Sequence, residues 1–270
     1  MILKTYFNDL DLSLNGGLTT SSLVIVGARP AMGKTTLLTS IAANLIRKGD
    51  KFLFCSLEEK AESINSKILS NLAEIPFDSV QFLKPNKAEK ERIDLAVKMI
   101  RDCESYINDE RDLSVIEEEI MRLKGDIKIV FIENIQILSK TSSYEDITRT
   151  MMRLKDICHQ KDICIIVSSH LSRAVDERQG HRPRLTDLRD CGGIEEIADQ
   201  VFLLLRREYY DPMDKPGIAE LIIGKNRLGR ADASIFLTYR KEIGEFCNFV
   251  PLKRSWEVEN ETAFSAFNPP

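Results

Sequence analysis

The sequence predicts an α/β domain with a mostly parallel central sheet, flanked by helices and turning antiparallel at its C-terminal edge. Three observations carry this fold class. Short apolar runs bounded by turn residues alternate with stretches of helical periodicity from Leu23 to Val167, the pattern of βα units. A glycine-containing turn, Gly27 to Thr35, joins the first such run to the first such stretch. From Val201 onwards the apolar runs are separated by turns too short for crossover helices, so neighbouring strands there pair antiparallel.

Taken in order, Leu23-Val24-Ile25-Val26 reads as a buried strand, and Lys34 to Lys48 as a helix ended by Gly49. Phe52 to Cys55 is the second strand. Two helices follow, about 60–73 and 87–103, the latter with Ile93, Ala96, Val97 and Ile100 on one face. Leu113, Ile116, Ile120 and Leu123 repeat that spacing before the β-prone run Ile127 to Ile132. Ile147, Met151, Leu154 and Cys158 mark a helix ahead of the strand Ile163 to Val167. Val201 to Leu205, Ala219 to Gly224 and Ser234 to Thr238 are the antiparallel strands. No repeat or linker divides the chain, so one domain over 1–258 is expected, followed by a flexible tail, 259–270. The stretch 171–190 is the other segment expected to be mobile.

Composition bounds the function. With 43% hydrophobic residues in 270, the chain has ample material for one large core. It has no apolar run of transmembrane length and no signal-peptide pattern at its start, so a cytoplasmic protein without membrane contact is expected. Six cysteines lie far apart with no CxxC pair, which predicts reduced structural thiols rather than a zinc site. A net charge of -4 argues against bulk coating of nucleic acid, though a local basic lining remains open.

The chemistry enters at Ala28-Arg29-Pro30-Ala31-Met32-Gly33-Lys34-Thr35. Between a strand and a helix, the pattern G-x-x-x-x-G-K-[ST] lets backbone N–H groups cradle phosphates, with the helix N-terminus adding its dipole. Lys34 would reach the β and γ phosphates of ATP, the Thr35 hydroxyl would ligate Mg2+, and Thr36 completes the loop. Ala28 holds the first glycine position, which it can do only with a negative φ. Such an ATPase also needs an acid for the hydrated metal and a base for the attacking water. Glu133 ends one strand and is assigned to the Mg2+ shell. Glu58 follows another and is assigned as general base. Doubly wound sheets bind ligands beyond the C-terminal ends of their strands, which is where both sit.

These residues resemble the C-terminal RecA-like motor of the DnaB-type hexameric replicative DNA helicases. The loop is similar to that family's ARPxMGKT, in which Ala is common at the first position. Ser56-Leu57-Glu58 resembles its SLE motif, and Ile132-Glu133-Asn134-Ile135-Gln136 its I-D-Y-L-Q, with Glu for Asp and Asn for Tyr. Ser168-Ser169-His170-Leu171-Ser172-Arg173 resembles S-Q-L-S-R, whose polar residue senses the γ-phosphate. Arg182-Pro183 and Asp187 to Asp199 resemble the RP and DLRESGSIEQDAD segment, and Gly224 to Gly229 the KxRNG element. The matches run from about Phe7 to Val250.

The resemblance implies an ATP-hydrolysing helicase, moving 5'-3' by family analogy, that works as a hexamer on single-stranded DNA with a possible helicase loader. His170 becomes a phosphate sensor, whereas a lone histidine at a strand end is otherwise an ordinary satisfied side chain. Lys225 and Arg227 would serve the ATP of the adjacent subunit. Arg189, Asp190 and Gly192 would face DNA, a role resting on the resemblance and a ring, since 171–190 carries an excess of only one positive charge. The family's N-terminal helical domain and linker helix have no counterpart before Met1. That keeps open a second reading, an accessory ATPase that joins a helicase or DNA without unwinding. A RecA or circadian-type ATPase is disfavoured by the SLE, DLRD and KNR elements.

Overall fold

The computed structural model describes residues 1–82, 85–139, 141, 143–191 and 193–250, leaving out the side chains of 189–191. In chain order the elements are β1 (Ile2–Leu3), α1 (Asn8–Ser13), β2 (Leu18–Thr19), β3 (Ser22–Ala28), α2 (Lys34–Lys48) and β4 (Phe52–Ser56). Then come α3 (Ala61–Ala73), α4 (Phe77–Gln81), α5 (Lys87–Cys103), β5 (Tyr106–Asn108), α6 (Leu113–Arg122), β6 (Ile129–Glu133), α7 (Ile135–Leu138) and α8 (Tyr144–Lys161). The last are β7 (Cys164–His170), α9 (Ala174–Glu177), α10 (Ile194–Ile197), β8 (Gln200–Arg206), β9 (Ile218–Asn226), β10 (Ala233–Arg240) and β11 (Glu245–Asn248).

One nine-stranded sheet has the order β11-β10-β9-β8-β3-β7-β6-β4-β5. The strands from β8 to β5 in that order are mutually parallel, and β9, β10 and β11 are antiparallel. Parallel strands are covered on both faces, and β3 is buried along its whole length. Its pleat splits the core: Val24, Val26 and Ala28 join Leu37, Leu38 and Ile41 of α2, whereas Leu23 and Ile25 join Met151, Leu154 and Cys158 of α8. Helices therefore stand on both faces, and β3 sits at the centre with its C-terminal end free to turn into the phosphate loop.

Local signals set the helix ends. Gly49 closes α2 at φ +77, a left-handed conformation that glycine takes without strain. Asn86 and Glu89 form a capping box at the start of α5. The strands at the ends of the sheet, β5 and β11, carry no long apolar run. β5 is only half buried, so no hydrophobic period marks it. The stretch 171–190 is folded and pinned by its own charges: Arg178 is bidentate to Asp187 at 2.8 Å, and Arg182 pairs with Glu220 and donates to Ser234 Oγ at 2.9 Å. Cys55, Cys103, Cys158, Cys164 and Cys247 are free thiols. No helix of the described residues is long and apolar enough to cross a membrane. The expected flexible tail lies outside the described residues.

Candidate active site

The phosphate loop leaves the sheet between β3 and α2. Ala28 is the last residue of β3, paired with His170, and it is not among the residues with positive φ, so its methyl group is accommodated. The left-handed positions fall later, at Ala31 (φ +62) and Gly33 (φ +98). A Cβ at Gly33 would lie 3.1 Å from the Phe246 ring, so both conformation and space call for glycine there. No side chain caps the N-terminus of α2, leaving the first N–H groups of a 15-residue helix for an anion. Ala28 and Met32 are buried in the core and offer backbone only.

Five of the residues read from the sequence converge at this end of the sheet. Lys34 Nζ lies 3.0 Å from His170 Nδ1, and His170 Nε2 lies 3.2 Å from Glu58 Oε1. An ammonium can only donate, so Nδ1 accepts and Nε2–H donates to the carboxylate, which fixes a neutral tautomer. The Thr35 hydroxyl donates to Glu133 Oε1, and Ser56 Oγ donates to Oε2 at 3.3 Å. The longer Glu133 side chain thus reaches Thr35 directly. The two present adjacent hard oxygen donors, which fit Mg2+; that ion needs few protein ligands when phosphates and water supply the rest. Among the described residues no cluster of three or more acidic, His or Cys side chains forms an all-protein metal cage, in keeping with this.

Electrostatics follow from burial and pairing. The hydrogen bond from His170, helped by Asn134 and Lys34, holds Glu58 down at about 2 against the opposing effect of burial. Burial pushes Glu133 up, and its bond from Thr35 only partly offsets this. Burial also pulls Lys34 down to about 8, while Glu58 and Glu133 limit the fall. A nucleotide that needs the ammonium form should therefore bind about tenfold more weakly at pH 9 than at pH 7. Titration with a fluorescent ADP across that range checks this, and a flat profile would contradict it. The nucleotide-free fold should meanwhile gain stability as pH climbs from about 8 towards 10.5, because the unfolded chain then holds a proton that the folded one has lost.

Sequence reading missed several supporting residues. Asn134 donates to Glu58 Oε1 at 2.5 Å, and Gln136 holds the end of β7 through Ser169 Oγ (2.9 Å) and the His170 N–H (3.2 Å). Both lie in the ENIQ run, so the signal was present without a role attached. Arg206 lies 3.9 Å above the Tyr239 ring, which packs on Phe246 at 5.0 Å beneath Gly33. No local pattern joins these three, because β8, β10 and β11 meet only in the folded sheet.

The Arg29 side chain leaves the loop, donating to Leu171 O and pairing with Asp176. Lys225 and Arg227 lie at the opposite end of the sheet. Lys225 Nζ donates to Glu195 O (2.5 Å) and Glu196 O (3.1 Å), Arg227 donates to Glu196 O (2.7 Å), and burial lowers Lys225. The Arg227 N–H bonds Asp199 O, and the Asp199 N–H bonds Leu23 O, so Arg227 is level with the start of β3. At the usual strand rise that level is about 16 Å along the strand axis from Ala28, and Arg227 is in addition two strands across the sheet, so the chain's own phosphate loop is out of its reach. Gly192 and the side chains of Arg189 and Asp190 lie outside the described residues. Within 171–190, Arg178 and Arg182 are spent on carboxylates, which leaves Arg173 and Arg184 exposed.

Comparison with known proteins gives a consistent result. The family model described as DnaB-like helicase C terminal domain matches residues 3–248. A probable plasmid replicative DNA helicase of Chlamydia psittaci is 30% identical over 248 residues, 88% of this chain and 53% of that protein. The replicative DNA helicase DnaC of Bacillus subtilis (strain 168) is 30% identical over 257 residues, 91% of this chain and 56% of that one. The chain thus spans about half the length of these relatives. Among solved structures, an isolated ATPase domain superposes with a TM-score of 0.85 at 27% identity, covering 93% of this chain and 92% of that one. A DnaB-like replicative helicase, solved in a study of its interactions with primase, has the same TM-score and identity, with 62% of its chain covered.

Proposed function

The chain belongs to the family of DnaB-like helicase C-terminal domains, and from that premise we propose that it is an ATP-driven motor acting on single-stranded DNA in replication. The observation that carries the proposal is the split of the machinery between two ends of one sheet. Lys34, Thr35, Glu58, Glu133 and His170 gather at one end, and Lys225 and Arg227 stand at the other. A second copy placed end to end would complete the site, which supports a ring of identical subunits.

In this reading the loop N–H groups and Lys34 bind the phosphates, while Thr35 and Glu133 hold Mg2+. The ion, when bound, would neutralise charge on the phosphates. Lys34 leaves His170 for the γ-phosphate, and the loss of that contact is how the histidine registers whether the phosphate is present. Glu58 orients the water for in-line attack, and Arg227 of a neighbour offsets charge on the transferring group. Tyr239, between Arg206 and Phe246, supports the loop from beneath Gly33. Phosphate contacts from Arg189 and the Gly192 backbone would move the strand without reading its sequence.

The test is ATP turnover with and without single-stranded DNA, together with sizing in the presence of an ATP analogue. Stimulation by DNA and a nucleotide-dependent hexamer are expected, and Lys34→Ala should abolish turnover. A monomer under all conditions, or turnover indifferent to Lys34→Ala, would overturn the motor reading; the first outcome would favour an accessory ATPase.

A further inference from the structure

Arg29 belongs to the phosphate loop, yet its whole guanidinium is committed elsewhere. Nε and Nη2 pair with Asp176 Oδ2 at 2.9 and 2.7 Å, and Nη1 donates to Leu171 O at 2.7 Å. Asp176 uses its second oxygen as well, accepting from the Tyr210 hydroxyl at 2.7 Å. The Tyr210 ring is stacked on His181 with centroids 3.7 Å apart and planes 14° from parallel. One carboxylate therefore joins three pieces of chain: the phosphate loop, the segment between β7 and β8, and the connection from β8 to β9.

We propose that Asp176 is a positioning residue: through Arg29 it ties the phosphate loop to the segment between β7 and β8, so that filling the nucleotide site sets the order of that segment. The geometry favours a link over an incidental surface pair. Exposed ion pairs contribute little and choose no single orientation. The Arg29 side chain is only 16% exposed and makes three directed bonds, a planar fork that fixes direction as well as distance. The Asp176 side chain is 40% exposed and touches none of Lys34, Thr35, Glu58, Glu133 or His170, so neither the core nor the chemistry accounts for it. The loop it holds has left-handed backbone at Ala31 and Gly33, the part that must settle around phosphates when they arrive. Arg29 lies two residues before the first of these and transmits any shift to Leu171 and Asp176.

The link itself does not depend on the helicase reading, but its consequence for DNA does, because the segment it orders leads towards residues 189–192. If the link acts as proposed, nucleotide and DNA affinities are coupled through it, and the coupling is reciprocal.

The test uses the 270-residue chain and amide hydrogen exchange over 171–188, with and without Mg2+ and an ATP analogue. In the unaltered chain the analogue is expected to slow exchange there about tenfold, a coupling of ordinary size. Asp176→Asn should lose most of that protection while binding the analogue equally tightly. Tyr210→Phe should lose part of it, and Asp176→Glu should restore part of it. Equal protection in Asp176→Asn and the unaltered chain would overturn the link, as would an even loss of protection across the whole domain, which marks a purely structural role. Stimulation of turnover by single-stranded DNA is scored separately. If Asp176→Asn loses the protection but the unaltered chain shows no DNA stimulation, the link stands and the helicase reading falls.

Discussion

Arg227→Ala is expected to lower DNA-stimulated ATP turnover by roughly 10³ to 10⁵, the range known for arginine fingers, while leaving nucleotide affinity close to unchanged. The reason is where the residue stands. In a single chain Arg227 covers the C-terminal carbonyls of α10, level with the start of β3, at the far end of the sheet from Lys34. It can neutralise charge on a phosphoryl group only when that group belongs to another subunit. Loss of function through a neighbour has a signature that loss within a chain lacks. Mixing Arg227→Ala chains with Lys34→Ala chains creates interfaces that pair an intact loop with an intact finger, so turnover should reappear in the mixture although each variant is inactive alone. An inactive mixture of chains that still assemble together, or an Arg227→Ala chain with ordinary turnover, would remove the trans role. A structural contribution is separable, since Arg227 also pairs with Asp199 at 3.5 Å; Arg227→Lys keeps the charge and loses the fork.

What could be read in advance divides along physical lines. The long strands and helices between Leu23 and Thr238 were legible from their apolar runs and periods, and β3, α2, β4 and α5 lie where these place them, whereas the short helices α4, α7, α9 and α10 carry too few turns for a period to show. The short partners at the ends of the sheet were not, because β5 and β11 are held by main-chain pairing to β4 and β10 rather than by a hydrophobic pattern. The site divides in the same way. Lys34, Thr35, Glu58, Glu133 and His170 each sit at the end of a strand or the start of a helix, where position in a motif implies position in space. The supporting contacts were hidden, because Asn134 on Glu58 and, beneath the loop, Arg206 on Tyr239 depend on which strands become neighbours. Arg29 shows the reverse case. Its place in the loop suggested a ligand contact, but its side chain is long enough to leave the loop and serve the segment beyond β7.

Glu58→Gln is expected to lower the maximal rate about 10²- to 10⁴-fold, the usual share of a positioned acid or base, without weakening nucleotide binding. Glutamine keeps an oxygen where Glu58 Oε1 accepts from Asn134 and His170, so the local frame survives and only the charge is lost. The state of that charge makes the prediction sharper. The His170 hydrogen bond holds Glu58 at about 2, where a carboxylate is a poor proton acceptor although fully ionised at working pH. When the γ-phosphate draws Lys34 away from His170, the histidine is expected to shift towards the phosphate and its hydrogen bond to Glu58, which depresses that carboxylate, to weaken. Its affinity for a proton then rises towards the ordinary carboxylate range while a water stands beside it. On the proposed mechanism Glu58 is thus restrained without substrate and strengthened as a base by substrate. The pH profile of the maximal rate should accordingly show an acid limb at higher pH than the free-chain value of about 2 would give. His170→Asn, which cannot bridge Lys34 and Glu58 in the same way, should bring the Glu58 titration of the free and nucleotide-bound chains together. Carboxylate titration by NMR in the two states measures this directly. A Glu58→Gln chain within tenfold of the normal rate would assign the water to another residue.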